Sequence, residues 1–206
     1  MTTFALRADT AGTVRRAIPP CILALCAFAG PALAETRGDD LIGRWRTALV
    51  EQPAPDGSAS AYVRQTIAFT PDRESLLVEA FADPEAATLL FTYASEGPYR
   101  VVGQHPSLDG ALALDLENAS SVVTIHVDAP ELWAAIGLSE CPLAIGEAVD
   151  IAGCVSGPPF QVTGCVDMDL ALVDEDGRRL RMGEGSVDRC TQRPDAPSDT
   201  VFTRIE

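Results

Sequence analysis

The sequence predicts a mainly β protein, in which an antiparallel meander of short strands forms an open or closed barrel or half-barrel, with one short helix and a disulfide-stapled C-terminal hairpin. Three observations carry that expectation. Apolar and polar residues alternate at period two through the middle of the chain. Short clusters of turn-forming residues separate the alternating runs. Four cysteines fall in the last third of a chain that begins with what reads as an export leader.

The leader is expected over residues 1–34. Arg7, Arg15 and Arg16 supply a positive start, residues 18–30 a short apolar stretch, and Ala32-Leu33-Ala34 the small residues that a signal peptidase accommodates. The apolar stretch is too short to span a bilayer, so no integral membrane segment is expected after cleavage. Cys21 follows Pro20 and Cys26 follows Leu25, whereas lipid attachment needs a small residue before the cysteine. Residues 35–206 then form a single β-barrel-like domain, for which a periplasmic or secreted location is expected.

Its first strand is expected at Gly43-Arg44-Trp45, and the Pro-, Gly- and Ser-rich stretch 52–60 reads as flexible. Residues 61–70 place Val63, Ile67 and Phe69 on one face and Tyr62, Arg64, Thr66 and Ala68 on the other. Strands are expected to follow over 75–82, 88–94, 98–103, 110–116 and 121–127, separated by Pro71-Asp72, Asp83-Pro84, Glu96-Gly97-Pro98, Pro106-Ser107 and Glu117-Asn118. Connections this short join antiparallel neighbours, because parallel ones need a crossover of a dozen residues. One helix interrupts the series. Asp128 is placed to cap it, Glu131 completes a capping box, Leu132, Trp133, Ala135 and Ile136 give an apolar face, and Gly137 ends it. A meander of this length must protect its edges as a barrel, a half-barrel wrapped over a helix, or a sandwich, and the single helix favours a barrel.

The C-terminal hairpin follows from Val166, Met168, Leu170 and Leu172, which alternate with acidic and small residues, from the turn Glu175-Asp176-Gly177, and from a return strand at Leu180 and Met182. With Asp176 and Gly177 at its centre, Cys165 falls opposite Val187 or Asp188, close to Cys190. The expected bridges are therefore Cys165–Cys190 and Cys141–Cys154. A last strand is expected over 200–205.

Charge narrows the function. The 15 basic residues, all arginine, face 30 acidic ones for a formal charge of −15, and cleavage of the leader makes the remainder more acidic still. No basic run could neutralise a row of phosphates, so nucleic acid is excluded as a partner, and the absence of lysine excludes Schiff-base chemistry. His105 and His126 lie far from the cysteines, which themselves lack metal-binding spacing, so no metal and no cofactor are expected. No nucleophile elbow, zincin motif or phosphate loop is present, no catalytic residue is assigned, and the acidic side chains read as solvated surface. Phe69, Phe81, Phe91 and Trp133 fall in the expected strands and helix and, with Trp45, are the candidate lining of an apolar ligand site, core packing being the plainer reading. Gly43-Arg44-Trp45 has the Gly-x-Trp form with which small lipid-binding barrels plug one end.

The order Asp83-Pro84, Gly97-x-Tyr99-x-Val101, Cys141, Ile145-Gly146, Gly153-Cys154, Cys165, Asp169-Leu170, Leu180, Gly183, Cys190 and Arg193-Pro194 resembles the ectodomain module of the adenomatosis polyposis coli down-regulated family. Animal members are membrane-anchored Wnt inhibitors built from two half-barrel modules related to bacterial lipoprotein carriers. The resemblance, which covers most of residues 35–206, implies a bacterial single-module relative, a lipocalin- or lipoprotein-carrier-like barrel, and a lipid or fatty acyl ligand. It does not extend to the second module, so the Wnt role is not implied. The expected function is thus an exported, non-enzymatic protein that holds an apolar ligand in its barrel. The alternatives are an extracytoplasmic protein-interaction or envelope structural β-module and, more distantly, a hydrolase with acidic catalytic residues. The exported protein is expected to begin at Glu35, which intact mass spectrometry of material secreted by a bacterial host will check; a mass that includes residues 1–34 would refute the assignment.

Overall fold

The computed structural model describes residues 37–53, 60–155, 160 and 164–206. The expected leader, and residues 54–59 of the Pro- and Gly-rich stretch, lie outside them. The alternation that begins at Ala61 becomes β3 (Ser60–Phe69). It is preceded by a single helical turn, α1 (Gly38–Leu41), and by β1 (Gly43–Thr47) and β2 (Val50–Pro53). After it come β4 (Arg73–Phe81), β5 (Leu89–Gln104), β6 (Leu112–Glu117), β7 (Ser120–Ile125), α2 (Pro130–Ala135), β8 (Ala148–Asp150), β9 (Val166–Val173), β10 (Arg179–Met182) and β11 (Phe202–Arg204).

Eight of these strands close into an antiparallel barrel in the order β1-β3-β4-β5-β6-β9-β10-β11, and β11 returns to pair with β1. β2 pairs with β3 outside this ring, and β7 carries β8 alongside β5. The order departs from a simple meander at β5. Glu96-Gly97-Pro98, expected to turn, instead lies inside a strand of 16 residues. A Cβ at Gly97 would lie 1.5 Å from the Glu117 carbonyl oxygen, and Ala119 donates its N–H to Glu96 O at 3.0 Å. The glycine therefore admits the β6–β7 connection against the strand rather than bending the strand itself. Pro98 sits where the neighbour of β5 changes from β7, whose pairing ends at Glu96, to β6, whose pairing begins at Tyr99. The ladder is interrupted there already, so a residue without an N–H is tolerated.

The helix also starts differently from expectation. Its N-cap is Ala129, with no side-chain cap, and Pro130 occupies the first turn. The fixed φ of proline initiates the helix in place of an Asp128 capping box. Gly137, at φ +80, ends it as expected.

In the C-terminal hairpin Leu180 faces Val173 and Arg181 faces Leu172, the expected register, and Gly177 takes φ +70 in the turn. The bridges are Cys141–Cys154 and Cys165–Cys190. Each contributes about 3 kcal/mol by loop closure. The return strand leaves the ladder after Met182, where the Gly183 N–H donates to Asp169 Oδ1 at 2.9 Å, a close approach that a Cβ on Gly183 would block.

Two apolar clusters result. The first fills the barrel with Leu41, Trp45, Ile67, Phe69, Leu112, Leu114, Leu116, Ala171, Val173, Leu180, Met182 and Phe202. The second lies where β4, β5 and β7 continue past the ring and are covered by α2 and the disulfide-bonded loop, and it centres on Tyr93, Val123, Ile125, Trp133, Leu138 and Ile151. On β9 the residues that join the barrel core are Ala171 and Val173, so the inward face is the one that also carries Asp167 and Asp169. This corrects the reading of these acids as solvated surface. Tertiary closure, and not the more apolar set of side chains, decides which face of β9 turns inward.

Gly97→Ala should cost at least about 3 kcal/mol, because the neighbour it meets is backbone. Gly153→Ala, where nothing stands within 4 Å, should stay within about 0.5 kcal/mol of the parent. Urea denaturation of the two variants will check this; a tolerated Gly97→Ala would refute the close approach of the β6–β7 connection.

Candidate functional site

The five aromatic residues expected to line one ligand cavity fall in three places. Trp45 and Phe69 belong to the barrel core, 0% and 2% exposed, and the Phe69 ring meets Tyr99 edge-on at 5.1 Å. Trp45 is a plug. Its indole N–H donates to Leu41 O at 2.8 Å, and the Arg204 guanidinium lies 4.0 Å from the ring centroid while donating to Gly177, Ile42 and Asp40 carbonyls. Gly43 has the role that a Gly-x-Trp element gives its glycine: a Cβ there would stand 2.6 Å from Glu206 O. Phe91 and Trp133 pack against each other at 5.9 Å in the second cluster. Phe81, beyond a register shift in the β4–β5 pairing, lies under the Arg64 guanidinium at 5.2 Å. No single wall contains all five.

Between the two clusters the interior is polar. Leu76 touches both, and the neighbouring inward positions are Glu74 on β4 and Ser95, which faces Leu76 from β5. Both are buried, as are Asn118, Ser121, Asp167 and Asp169. Asn118 Nδ2 donates to Ser121 Oγ at 2.6 Å, and the Tyr93 hydroxyl is 3.4 Å from the same oxygen. Arg189, in the segment held by Cys165–Cys190, reaches Asp169 Oδ2 at 2.5 Å and Asp167 Oδ1 at 3.2 Å. Asp169 Oδ1 accepts the N–H groups of Gly183 and Leu170 at 2.9 and 2.7 Å. Burial works against the Arg189 charge, but Asp169 and Asp167 outweigh it and keep the guanidinium ionised. Burial, reinforced by Asp167 and then Asp169, pushes Glu74 up to about 8.

Adjacent to this layer, on the outer face of β6, Asp115 accepts from Arg193 Nη2 at 2.7 Å and from Arg100 Nη2 at 2.7 Å. Arg193 also donates to the Leu114 and Asp169 carbonyls. Burial raises the Asp115 carboxyl, but the two arginines hold it below the ordinary carboxylate range. His105, expected in a turn, is buried; its Nδ1 accepts from Ser107 N at 3.4 Å, and Nε2 is 2.9 Å from Pro194 O, to which it donates.

A second feature opens outward. A cleft of about 570 Å³ lies over β9 and β10, with the β5–β6 turn at Leu108–Gly110 on one side and the approach to β11 at Asp199 and Val201 on the other. Its floor combines Leu172 and Val201 with Arg179 and Arg181; its walls carry Asp109, Glu175 and Asp199. Asp174 also lines it, but this carboxylate accepts the N–H groups of Arg178 and Arg179 at 3.0 and 2.9 Å and so closes the hairpin turn. A volume of this size suits a small-molecule ligand. Apart from the alternation of Arg179 and Arg181 about Leu180, nothing in the one-dimensional pattern points to it, because its walls come from segments about 60 to 90 residues apart in the chain.

Among the described residues no group of three or more His, Cys, Asp or Glu is placed to hold a metal ion, and no helix is long and apolar enough to cross a membrane. No protein-family model matches the chain, and no curated protein matches it. The two disulfides are compatible with an oxidising, extracellular environment.

The buried charges carry two predictions. Glu74 ionises at its ordinary value of 4.5 in the unfolded chain but near 8 in the fold. Its contribution is therefore fully present below 4.5 and is lost as pH rises through about 8. Glu74→Gln should gain stability relative to the parent, by a few kcal/mol in order of magnitude, across that window. Urea denaturation at pH 5, 7 and 8.5 reads it, and a difference that does not grow with pH would show Glu74 already ionised in the fold. Arg189→Met leaves Asp167 and Asp169 buried without their cation and should cost about 3–5 kcal/mol, with Arg189→Lys recovering part of the loss. Equal stability of the Met variant and the parent would refute the internal ion pairs.

Proposed function

We propose that the protein is an exported, non-enzymatic binding module for an apolar ligand, periplasmic or secreted, and that the ligand sits in the outer cleft over β9 and β10. The observation that carries this reading is a contrast of occupancy. The inward positions of the barrel strands hold bulky side chains, Trp45, Phe69, Leu114 and Phe202 among them, whereas the cleft combines open volume with the apolar surface of Leu172, Val201 and Leu108. An eight-strand barrel is just wide enough for its own side chains to fill it. The filled ring then acts as a rigid wall, and the site is built on its outside. A binding role is also favoured by the chemistry of the buried carboxylates. Glu74, Asp167 and Asp169 are 5%, 7% and 1% exposed, which suits a structural charge layer better than groups that must reach a substrate.

The test uses the whole exported protein. After extraction with organic solvent, native mass spectrometry should show a one-to-one adduct with dodecyl maltoside below its micellar concentration. Val201→Trp, which fills the cleft from an exposed position, should abolish the adduct without lowering the thermal midpoint. Phe69→Leu in the barrel core should lower stability by about 1 kcal/mol and leave binding intact. The opposite result, with Phe69→Leu losing the ligand and Val201→Trp retaining it, would place the ligand inside the barrel. A protein that binds no dodecyl compound would favour a β-module that engages another protein through its surface.

A further inference from the structure

We infer that the ligand of the outer cleft is a zwitterionic amphiphile, with its anionic group between Arg179 and Arg181, its cationic group against Asp109 or Asp199, and its tail over Leu172 and Val201; the inference rests on the cleft being the binding site. The starting point is how this chain uses its cations. It has 15 basic residues against 30 acidic ones, so every arginine has acids to choose from. Arg44, Arg64, Arg73, Arg100, Arg189 and Arg193 all form ion pairs. Arg37, Arg46, Arg178, Arg179, Arg181 and Arg204 form none among the described residues; two of these, Arg179 and Arg181, share a cleft with Asp109, Glu175 and Asp199, which likewise form none, and with Asp174, whose ionised form the Arg179 charge favours.

The strand order places the arginine pair between two of the acids. Arg179 and Arg181 are two residues apart on β10, so both point away from the barrel core, to which Leu180 between them belongs. Asp199 stands on the β11 side of this pair, and Asp109 stands in the β5–β6 turn on the far side of β9. The strand order therefore puts these two acids on opposite sides of the arginine pair.

Three simpler ligands fit poorly. A simple anion meets two guanidiniums but also the four carboxylates of Asp109, Asp174, Glu175 and Asp199 and the negative field of the whole chain. A simple cation meets the reverse at the floor. A neutral apolar ligand strips water from charges of both signs and gives none of them a partner. A zwitterion with a tail satisfies all three sets of surface. The paired guanidiniums form charge-assisted hydrogen bonds with a phosphate-like group, the acids on the walls face a cationic group, and Leu172 with Val201 covers the first methylenes.

The experiment holds the tail constant and varies the head. Dodecylphosphocholine, dodecyl phosphate, dodecyltrimethylammonium and dodecyl maltoside are titrated below their micellar concentrations by isothermal calorimetry, into the parent and into Arg179→Gln and Arg181→Gln. The phosphocholine should bind at least about tenfold more tightly than the other three, because it alone satisfies charges of both signs. Each Arg variant should lose about tenfold for the phosphocholine and little for the maltoside. Equal affinity for all four heads, a preference for either singly charged head, or a phosphocholine preference that survives both substitutions would overturn the zwitterion while leaving the cleft as the site. Absence of binding by all four would instead overturn the cleft reading itself. The thermal midpoints of the variants, whose outward side chains form no ion pair among the described residues, report whether they fold.

Discussion

Closure of the sheet is the constraint on which the rest of the molecule depends. A barrel strand must be paired on both sides, and β1 finds its second neighbour only in β11, at the opposite end of the chain. The two ends of residues 37–206 are accordingly fastened together: Gly43 leaves room for Glu206, Ile205 donates its N–H to Arg44 O at 2.8 Å, and Arg204 reaches over Trp45 to the carbonyls of Asp40 and Ile42. Trp45 can fill the barrel end only because this return strand covers it. The contact has a sequence separation close to the length of the domain, so its entropic cost must be met before the core gains anything. The two disulfides bridge much shorter loops, 13 and 25 residues apart, and stiffen the region beside the ring without closing it.

The polar layer is a second consequence of closure. Once β9 lies between β6 and β10, alternate residues of β9 must point inward, and two of them are aspartates. Burying them requires a cation and hydrogen bonds in place of water. Arg189 supplies the first, and the N–H groups of Leu170 and Gly183 supply part of the second. Gly183 must be a glycine for the Asp169 carboxylate to come that close. Cys165–Cys190 holds the arginine's own segment beside β9. Glu74, for which burial and the two aspartates outweigh Arg189, stays protonated near neutrality. The interior is thus two apolar cores joined across a layer whose charge balance depends on pH.

The proposed binding site lies on what the filled ring leaves outside. The exterior of β9 and β10, walled by two loops, offers volume, apolar surface and charges of both signs in one place. The ring supplies rigidity there, since Leu180 and Val173 beneath the cleft are core residues. A site on the outer wall of a packed barrel can recognise a head group at its rim without opening the core, and the charge layer inside need take no part in the recognition.

Much of this was legible in one dimension. Period-two alternation specifies β structure because successive strand residues must face opposite ways, and short turn clusters specify antiparallel neighbours because longer connections alone permit parallel ones. The pairing of Cys165 with Cys190 follows from a hairpin register centred on Asp176 and Gly177, and Gly43-Arg44-Trp45 has the form of a plugged first strand. Other features are long-range by nature. Gly97 reads as a turn residue until Glu117 is placed against it; Asp167 and Asp169 read as surface until β6 and β10 flank β9; Phe69 and Phe91 read as one lining until two clusters separate them. Local sequence determines what each segment can be, through backbone sterics and side-chain alternation. Which face is buried, which charges meet and where a ligand finds room are decided by contacts between segments far apart in the chain, and those exist only once the barrel has closed.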